Sequence, residues 1–268
     1  MVAETNFKIN LGLNVVEKLP NGYHALETVF YPVYNQRDSV EIQPSSEFQF
    51  QMVGGDFNID PDKNICVKAF RLLEEKFQLP PISITLTKKI PSGAGIGGGS
   101  GDAATTLLLL NQYFELKLNQ EELIHIAKKL GSDVPFFIIN QPCFATGVGE
   151  ILTPISLDLS QYRIEMIFSD IQVSTPLAYS WIKPQKPQKP ILEVLKTPIE
   201  NWKYELVNDF ESVVFPKYPE LERNKQLMYE KGAVYAAMSG SGSSIYGIFP
   251  IQLSYDYFVS CEEGDQKK

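Results

Sequence analysis

Residues 93–101 hold six glycines (Gly93, Gly95, Gly97, Gly98, Gly99 and Gly101), against 18 in the whole chain. Without a Cβ the backbone can take positive φ and close tightly round a ligand. The flanks give the run a direction. Ile82, Ile84 and Leu86 alternate with Ser83, Thr85 and Thr87, the pattern of a half-buried strand. Residues 103–114, rich in Ala and Leu, read as a buried helix, with Ser100 and Asp102 as N-cap residue types at its start. In a strand, glycine loop, helix order, the orphan N–H groups of the first helical turn and the helix dipole together form a cradle for an anion. The plain alternative is a packed glycine turn that binds nothing. Six glycines so framed favour the cradle.

The kind of cradle can be narrowed. A P-loop requires GxxxxGK[ST], and no Lys-Ser or Lys-Thr pair follows these glycines. The spacing GxGxxG occurs at Gly93, Gly95 and Gly98, but dense glycines match it by accident. Residues 88–92 also separate the strand from the first glycine, whereas a dinucleotide fold turns tightly there. The catalytic-loop and DFG signatures of protein kinases are absent.

The remaining sequence bounds the class of protein. The 268 residues carry 24 Lys+Arg against 32 Asp+Glu, a net charge of −8, with 44% hydrophobic residues. That is a globular composition with room for one large or two small cores. An acidic chain is a poor general polyanion binder, so nucleic acid is not an expected partner. Apolar runs such as residues 107–110 are far too short to span a bilayer, and no basic, apolar leader opens the chain, so no membrane partner is expected. Cys66, Cys143 and Cys261 are odd in number and form no CxxC, and there are only two histidines, His24 and His125. Neither a disulfide framework nor a thiolate or histidine metal site is expected, and a cytoplasmic location follows.

Residues 7–16 alternate apolar and polar, and 28–33 and 39–42 read as further strands. Residues 65–77 read as a helix. Asn119 with Glu122 is a capping box ahead of a helix ending near Gly131, and residues 132–135 start another. Beyond residue 150, strands are expected at 163–168, 234–238 and 245–249 and helices at 208–215 and 220–231. Residues 183–190, with Pro184, Pro187 and Pro190, form a stiff irregular connection. Residues 262–268 read as a polar tail. The division is α+β in two lobes, 1–155 and 156–268, placed at the Gly/Thr/Pro stretch 146–154.

The order Pro91, Ser92, Gly93, Ala94, Gly95, Ile96, Gly97, Gly98, Gly99, Ser100, Gly101, Asp102, Ala103, Ala104 resembles the phosphate motif of the GHMP kinases (galactokinase, homoserine kinase, mevalonate kinase and relatives). Residues 8–15 and 21–30, with Lys8, Asn10, Asn21, Gly22, Tyr23 and His24, are similar to the branch whose acceptor is a cytidyl diphosphate ester of methylerythritol. Further matches lie at residues 62–64, 131–137, 145–150, 174–176, 208–211 and 238–243. The chain departs from the family pattern at Gly101, where a second Ser is usual, at Phe7, where Ala is usual, and after Phe249.

The resemblance implies a two-lobed GHMP kinase fold with a ribosomal-S5-like N-terminal lobe and a ferredoxin-like C-terminal lobe. It implies phosphorylation of the 2-hydroxyl of that ester by ATP, with Mg²⁺ on the nucleotide, on the methylerythritol phosphate route to isoprenoid precursors. Asp133 corresponds to the catalytic aspartate and Lys8 to its partner. Pro91, Gly93, Gly95, Gly97, Gly98, Gly99, Ser100 and Gly101 correspond to the ATP phosphate loop. Asn10, Tyr23, His24 and Tyr179 correspond to the substrate site, a cytosine clamp in which Tyr23 stacks on the base, Tyr179 is the opposite face and His24 bonds the base edge. Ser239, Gly240, Ser241 and Gly242 correspond to a second glycine loop. Metal ligands and the choice of monomer or homodimer stay open.

Each residue also has a plainer reading. Asp133 is a helix cap, Lys8 a solvated strand edge, Asn10 a surface residue, Tyr23 a core ring, His24 a surface imidazole, and residues 239–242 a hairpin turn. Lys88 and Lys89 either meet phosphates or are a charged strand end; His125 is structural. Two rivals remain. A homoserine or mevalonate-type acceptor is opposed by Tyr23 and His24, and a non-catalytic nucleotide-binding module by the presence of both Lys8 and Asp133.

Overall fold

A computed structural model describes residues 1–55 and 60–251. The expected tail at 262–268 and Cys261 lie outside the described residues. β1 (Val2–Lys18) runs antiparallel to β2 (His24–Pro44). The expected strands 28–33 and 39–42 are one strand, because the ladder resumes past an irregularity. Phe7 pairs with Val33 and Thr5 with Asp38, so the polar residues 34–37 bulge out opposite Asn6 without ending the pairing. β3 (Gln49–Val53) lies parallel to β4 (Ile82–Thr87), whose apolar residues are the buried ones, as their alternation predicts. Between them α1 (Ile65–Phe77) starts at Asn64, whose side chain accepts from the Cys66 N–H.

α2 (Gly98–Tyr113) starts inside the glycine run and not at residue 103, so Gly98, Gly99 and Gly101 are helical. Its N-cap is Gly97 in the left-handed region, not Ser100 or Asp102, which lie inside the first turns. A glycine can take the αL conformation that sends the chain into the helix here, and Asp102 has another partner described below. α3 (Gln120–Ala127) carries the complete Asn119–Glu122 capping box, and α4 (Val134–Ile139) follows Asp133. β5 (Cys143–Thr146) and β6 (Ile151–Pro154) complete a six-stranded sheet, ordered β3-β4-β2-β5-β6 with β1 on β2. α1, α2 and α4 cover it over a core that includes Phe70, Leu107 and Phe136.

The chain passes to a second sheet between Pro154 and Tyr162. There follow β7 (Tyr162–Ile167), α5 (Thr175–Trp181), α6 (Ile191–Val194), α7 (Ile199–Glu205), α8 (Glu211–Val214), α9 (Pro219–Glu230), β8 (Tyr235–Met238) and β9 (Ile245–Pro250). The antiparallel sheet β7-β9-β8 carries α7 and α9 against it. The two-lobed α+β division is therefore present. The helix expected over 208–215 shrinks to α8, because Leu13 and Asn208 form a β-bridge and the chain is extended there. Residues 183–190 are irregular, and Gln185 N–H donates to Val15 O, tying them along β1.

β1 joins the lobes, and its alternation has an unexpected meaning. Phe7, Ile9 and Leu11 pack with Tyr235 and Tyr246 of the second lobe. Their polar neighbours Asn6, Lys8 and Asn10 are buried too, so the polar face is not solvated. At Lys8 and Asn10 it is the floor of a cleft. Among the described residues no helix is long and apolar enough to cross a membrane.

Candidate active site

The cleft, of about 1110 Å³, lies between the lobes over the polar face of β1. The first glycine loop crosses that strand, with the Lys8 N–H donating to Ile96 O at 2.9 Å. Lys8, only 4% exposed, reaches from the floor: Nζ donates to Asn10 Oδ1 at 2.7 Å and lies 3.5 Å from Asp133 Oδ2 and 4.6 Å from the Phe30 ring centroid. Burial pushes the Lys8 ammonium below the ordinary lysine range, and Asp133 offsets part of the fall. Lys8 is therefore no edge residue, and Asn10 no surface one; Asn10 Nδ2 also donates to Thr28 Oγ1 at 3.0 Å.

Asp133 stands at the N-cap position of α4, yet its side chain makes no capping bond. Half-exposed, it is turned to the cleft and to Lys8 instead. The two readings of this residue thus separate: the position is a cap, the carboxylate is not used as one.

The second glycine loop joins β8 to β9 and lies directly on the first. Ser239 Oγ donates to Gly95 O at 3.1 Å, and the Ser244 N–H to Ala94 O at 3.2 Å. A Cβ on Gly240 would sit 2.8 Å from Gly95 O. An ordinary hairpin turn has no such partner. Thr175 Oγ1, at the start of α5, is 2.9 Å from Ser241 Oγ.

In the same cleft, His24 and Tyr179 stack with ring centroids 5.0 Å apart and planes at 21°. Tyr23 is 65% exposed at the rim, which rules out the core reading. Burial, then the nearby Asp133 carboxylate, pushes the Tyr179 phenol up to about 12. Burial and Lys18 push His24 down.

Of the expected site residues, Lys8, Asn10, Tyr23, His24, Gly95, Gly97, Ser100, Asp133, Tyr179, Gly240 and Ser241 line this one cleft. Pro91, Gly93, Gly98, Gly99, Gly101, Ser239 and Gly242 do not line it. Gly98 and Gly101 are packing positions: a Cβ would meet Ile90 Cγ2 at 2.8 Å in the first case, Asn6 O and Thr5 Oγ1 at 2.6 Å in the second. The departure from Ser at 101 thus brings α2 onto the backbone of β1. Thr28 and Phe30 are cleft residues that the sequence reading missed. The β1–β2 register carries the signal, since it sets Phe30 opposite Asn10.

Lys88 belongs to neither of its expected roles. It is buried behind the loop in ion pairs with Asp38 and, at 2.8 Å, with Asp102 Oδ2. Asp38 Oδ1 also accepts from the Ile90 N–H at 2.7 Å, so the cluster joins β2, the loop entry and α2. Burial drives the Asp102 carboxyl up to about 7, against the pull of Lys88. Lys88→Met would leave two buried carboxylates with no cation. It is expected to cost roughly 3–5 kcal/mol of stability, read as a lower urea midpoint. The loss should be smaller at pH 5 than at pH 8, because a protonated Asp102 no longer repels Asp38. An equal loss at both pH values would contradict this account.

Comparison with known proteins agrees with the geometry. The GHMP kinases N terminal domain family matches residues 64–141 and the GHMP kinases C terminal family residues 197–253. A 4-diphosphocytidyl-2-C-methyl-D-erythritol kinase of Bacteroides thetaiotaomicron is 50% identical over 253 residues, covering 93% of this chain and 92% of the relative. A crystal structure of 4-(cytidine 5'-diphospho)-2C-methyl-D-erythritol kinase superposes with TM-score 0.80 at 33% identity, over 92% of this chain and 90% of that one. The Methanococcus jannaschii mevalonate kinase shares the fold alone, with TM-score 0.67 at 13% identity over 99% and 95% of the two chains. Two lobes, two apposed glycine loops and a Lys8–Asp133 pair in the cleft, with relatives of this similarity, establish that the chain belongs to the GHMP kinases, in their 4-diphosphocytidyl-2-C-methyl-D-erythritol kinase family.

Proposed function

We propose that the protein transfers the γ-phosphoryl group of ATP to the 2-hydroxyl of 4-diphosphocytidyl-2-C-methyl-D-erythritol, giving the 2-phosphate and ADP. The observation that carries the reading is Lys8. An ammonium on the floor of a cleft, 3.5 Å from a carboxylate, shares that cleft with two glycine loops and an aromatic pair. Phosphoryl transfer demands little more than positioning and charge stabilisation, and these groups supply both.

In this reading the first loop cradles the nucleotide phosphates with the backbone N–H groups that open α2, and the second loop covers them. Pro91 and Gly93 lead the chain into that cradle, while Gly98, Gly99 and Gly101 shape it. The acceptor's cytosine lies against the rings of Tyr23, His24 and Tyr179, and Asn10 helps to orient the sugar-alcohol end. Asp133 accepts the proton of the reacting hydroxyl as Lys8 stabilises the developing negative charge. The described residues hold no cluster of three metal-type ligands. Ser100 lines the cleft at the first loop and would be the side chain at hand for a Mg²⁺ carried on the nucleotide phosphates. Mg²⁺ so bound would neutralise phosphate charge.

A lobe boundary near residue 155 is supported by the change of sheet between Pro154 and Tyr162. A cytoplasmic setting is supported by Cys66 and Cys143, both buried free thiols.

The test is ADP release with each acceptor. Turnover is expected with the cytidyl ester and at least about a hundredfold lower kcat/KM with homoserine or mevalonate, since a site built to bond a buried polar group rejects analogues lacking it. Turnover with either of these and none with the ester would overturn the acceptor assignment.

A further inference from the structure

The segment Asn208, Asp209, Phe210, Glu211 has no part in the chemistry above, yet its four side chains hold three different pieces of the cleft. Asn208, buried, donates through Nδ2 to both Met238 O at 2.7 Å and Gly240 O at 2.8 Å. Its Oδ1 accepts from the Phe210 N–H at 3.0 Å. Glu211 Oε1 accepts from the Met238 N–H at 2.8 Å, so the residue from which the second glycine loop departs is gripped on both sides.

Asp209 faces the other way. Its Oδ2 accepts from the Val15 N–H at 2.8 Å and its own N–H donates to Leu13 O at 2.8 Å, which fixes the segment on β1, the strand of Lys8 and Asn10. The Phe210 ring meets Tyr179 edge-on at 4.8 Å. One short segment therefore connects the strand bearing the catalytic lysine, the ring pair and the second glycine loop.

We propose that Asn208 is a positioning residue for phosphoryl transfer. By taking the carbonyls of Met238 and Gly240 it sets the height of the second loop over the first, where Gly240 already lies against Gly95. The inference rests on the kinase reading above, because it assigns the two loops to the nucleotide phosphates.

The two functions of the side chain can be separated. Asn208→Asp keeps the shape and the acceptor for the Phe210 N–H, but it replaces both donors with an oxygen facing two carbonyls. Asn208→Ser keeps one donor. MgADP affinity by calorimetry and KM for ATP are expected to worsen at least tenfold in Asn208→Asp and by less in Asn208→Ser. KM for the acceptor should stay within about threefold in both. Kd and KM report the folded fraction, so partial unfolding does not hide the effect. A lower melting temperature with wild-type MgADP affinity and KM would show a merely structural role and overturn the proposal. So would wild-type behaviour of Asn208→Asp. MgADP binding needs no acceptor. If the wild-type protein ignores the cytidyl ester while Asn208→Asp still loses MgADP affinity, the acceptor assignment falls and this inference stands.

Discussion

Asp133→Asn is expected to lower kcat by roughly 10²–10⁴-fold, the range for loss of a general base, with KM for both substrates within about threefold. The substitution is nearly isosteric. The Asp133 carboxylate makes no capping bond to α4, so the helix itself loses nothing; the melting temperature should fall modestly, because buried Lys8 loses its partner. What changes is the pair with Lys8 at 3.5 Å. Asp133 raises the Lys8 pKa against the larger lowering by burial, so its removal shifts Lys8 further down. Activity that depends on protonated Lys8 falls as pH rises through the folded-state value. The alkaline limb of the residual activity should therefore move to lower pH in the variant. A kcat within threefold of wild type would show that Asp133 neither takes nor orients the proton. An unmoved alkaline limb would show that the limb is not Lys8.

The local part of this site is legible in the sequence. The capping box at Asn119 and the bounds of α1 depend on neighbours a few residues away, and both stand in the structure where the pattern sets them, whereas α2 starts at Gly98, inside the glycine run. The long-range part is not. Asp102 has the composition of an N-cap, but a buried ammonium 14 positions earlier in the chain takes its carboxylate, and Gly97 caps in its place. Lys88 looks like a charged strand end until Asp38 is brought to it across the sheet. Period-two alternation in β1 identifies one apolar face correctly and says nothing about what covers the other. Whether Lys8 faces water or a cleft depends on α2 and on a loop more than 230 residues away, which no local pattern encodes. Charge shows the same division. A net −8 excludes a general affinity for polyanions, while the cleft gathers backbone N–H groups, a helix N-terminus and Lys8 within one small volume.

Gly95→Ala is expected to reduce kcat/KM for ATP by about a hundredfold or more while the protein still folds. Gly95 has φ +75°, where an L-residue costs roughly 1–2 kcal/mol. The new methyl also meets backbone. Its Cβ would press into Ser239 O and lie 2.7 Å from Gly242 O. Neither carbonyl is free to withdraw, because the second loop is closed on itself by the Gly242 N–H to Ser239 O bond at 3.1 Å and by the Ser239 N–H to Ser244 O bond at 2.9 Å, just ahead of β9. The loops must therefore separate, and a displacement of about 1 Å at groups that position reactants is enough for a loss of that size. The contact is reciprocal, with Gly240 at φ +58° facing Gly95 O. Gly240→Ala should produce a similar loss. The double variant should then be little worse than the poorer single one, since both substitutions break the same loop-to-loop contact and neighbouring effects do not add. Full additivity of the two losses would mean that each glycine serves the nucleotide independently, and that the apposition of the loops is not what holds the phosphates.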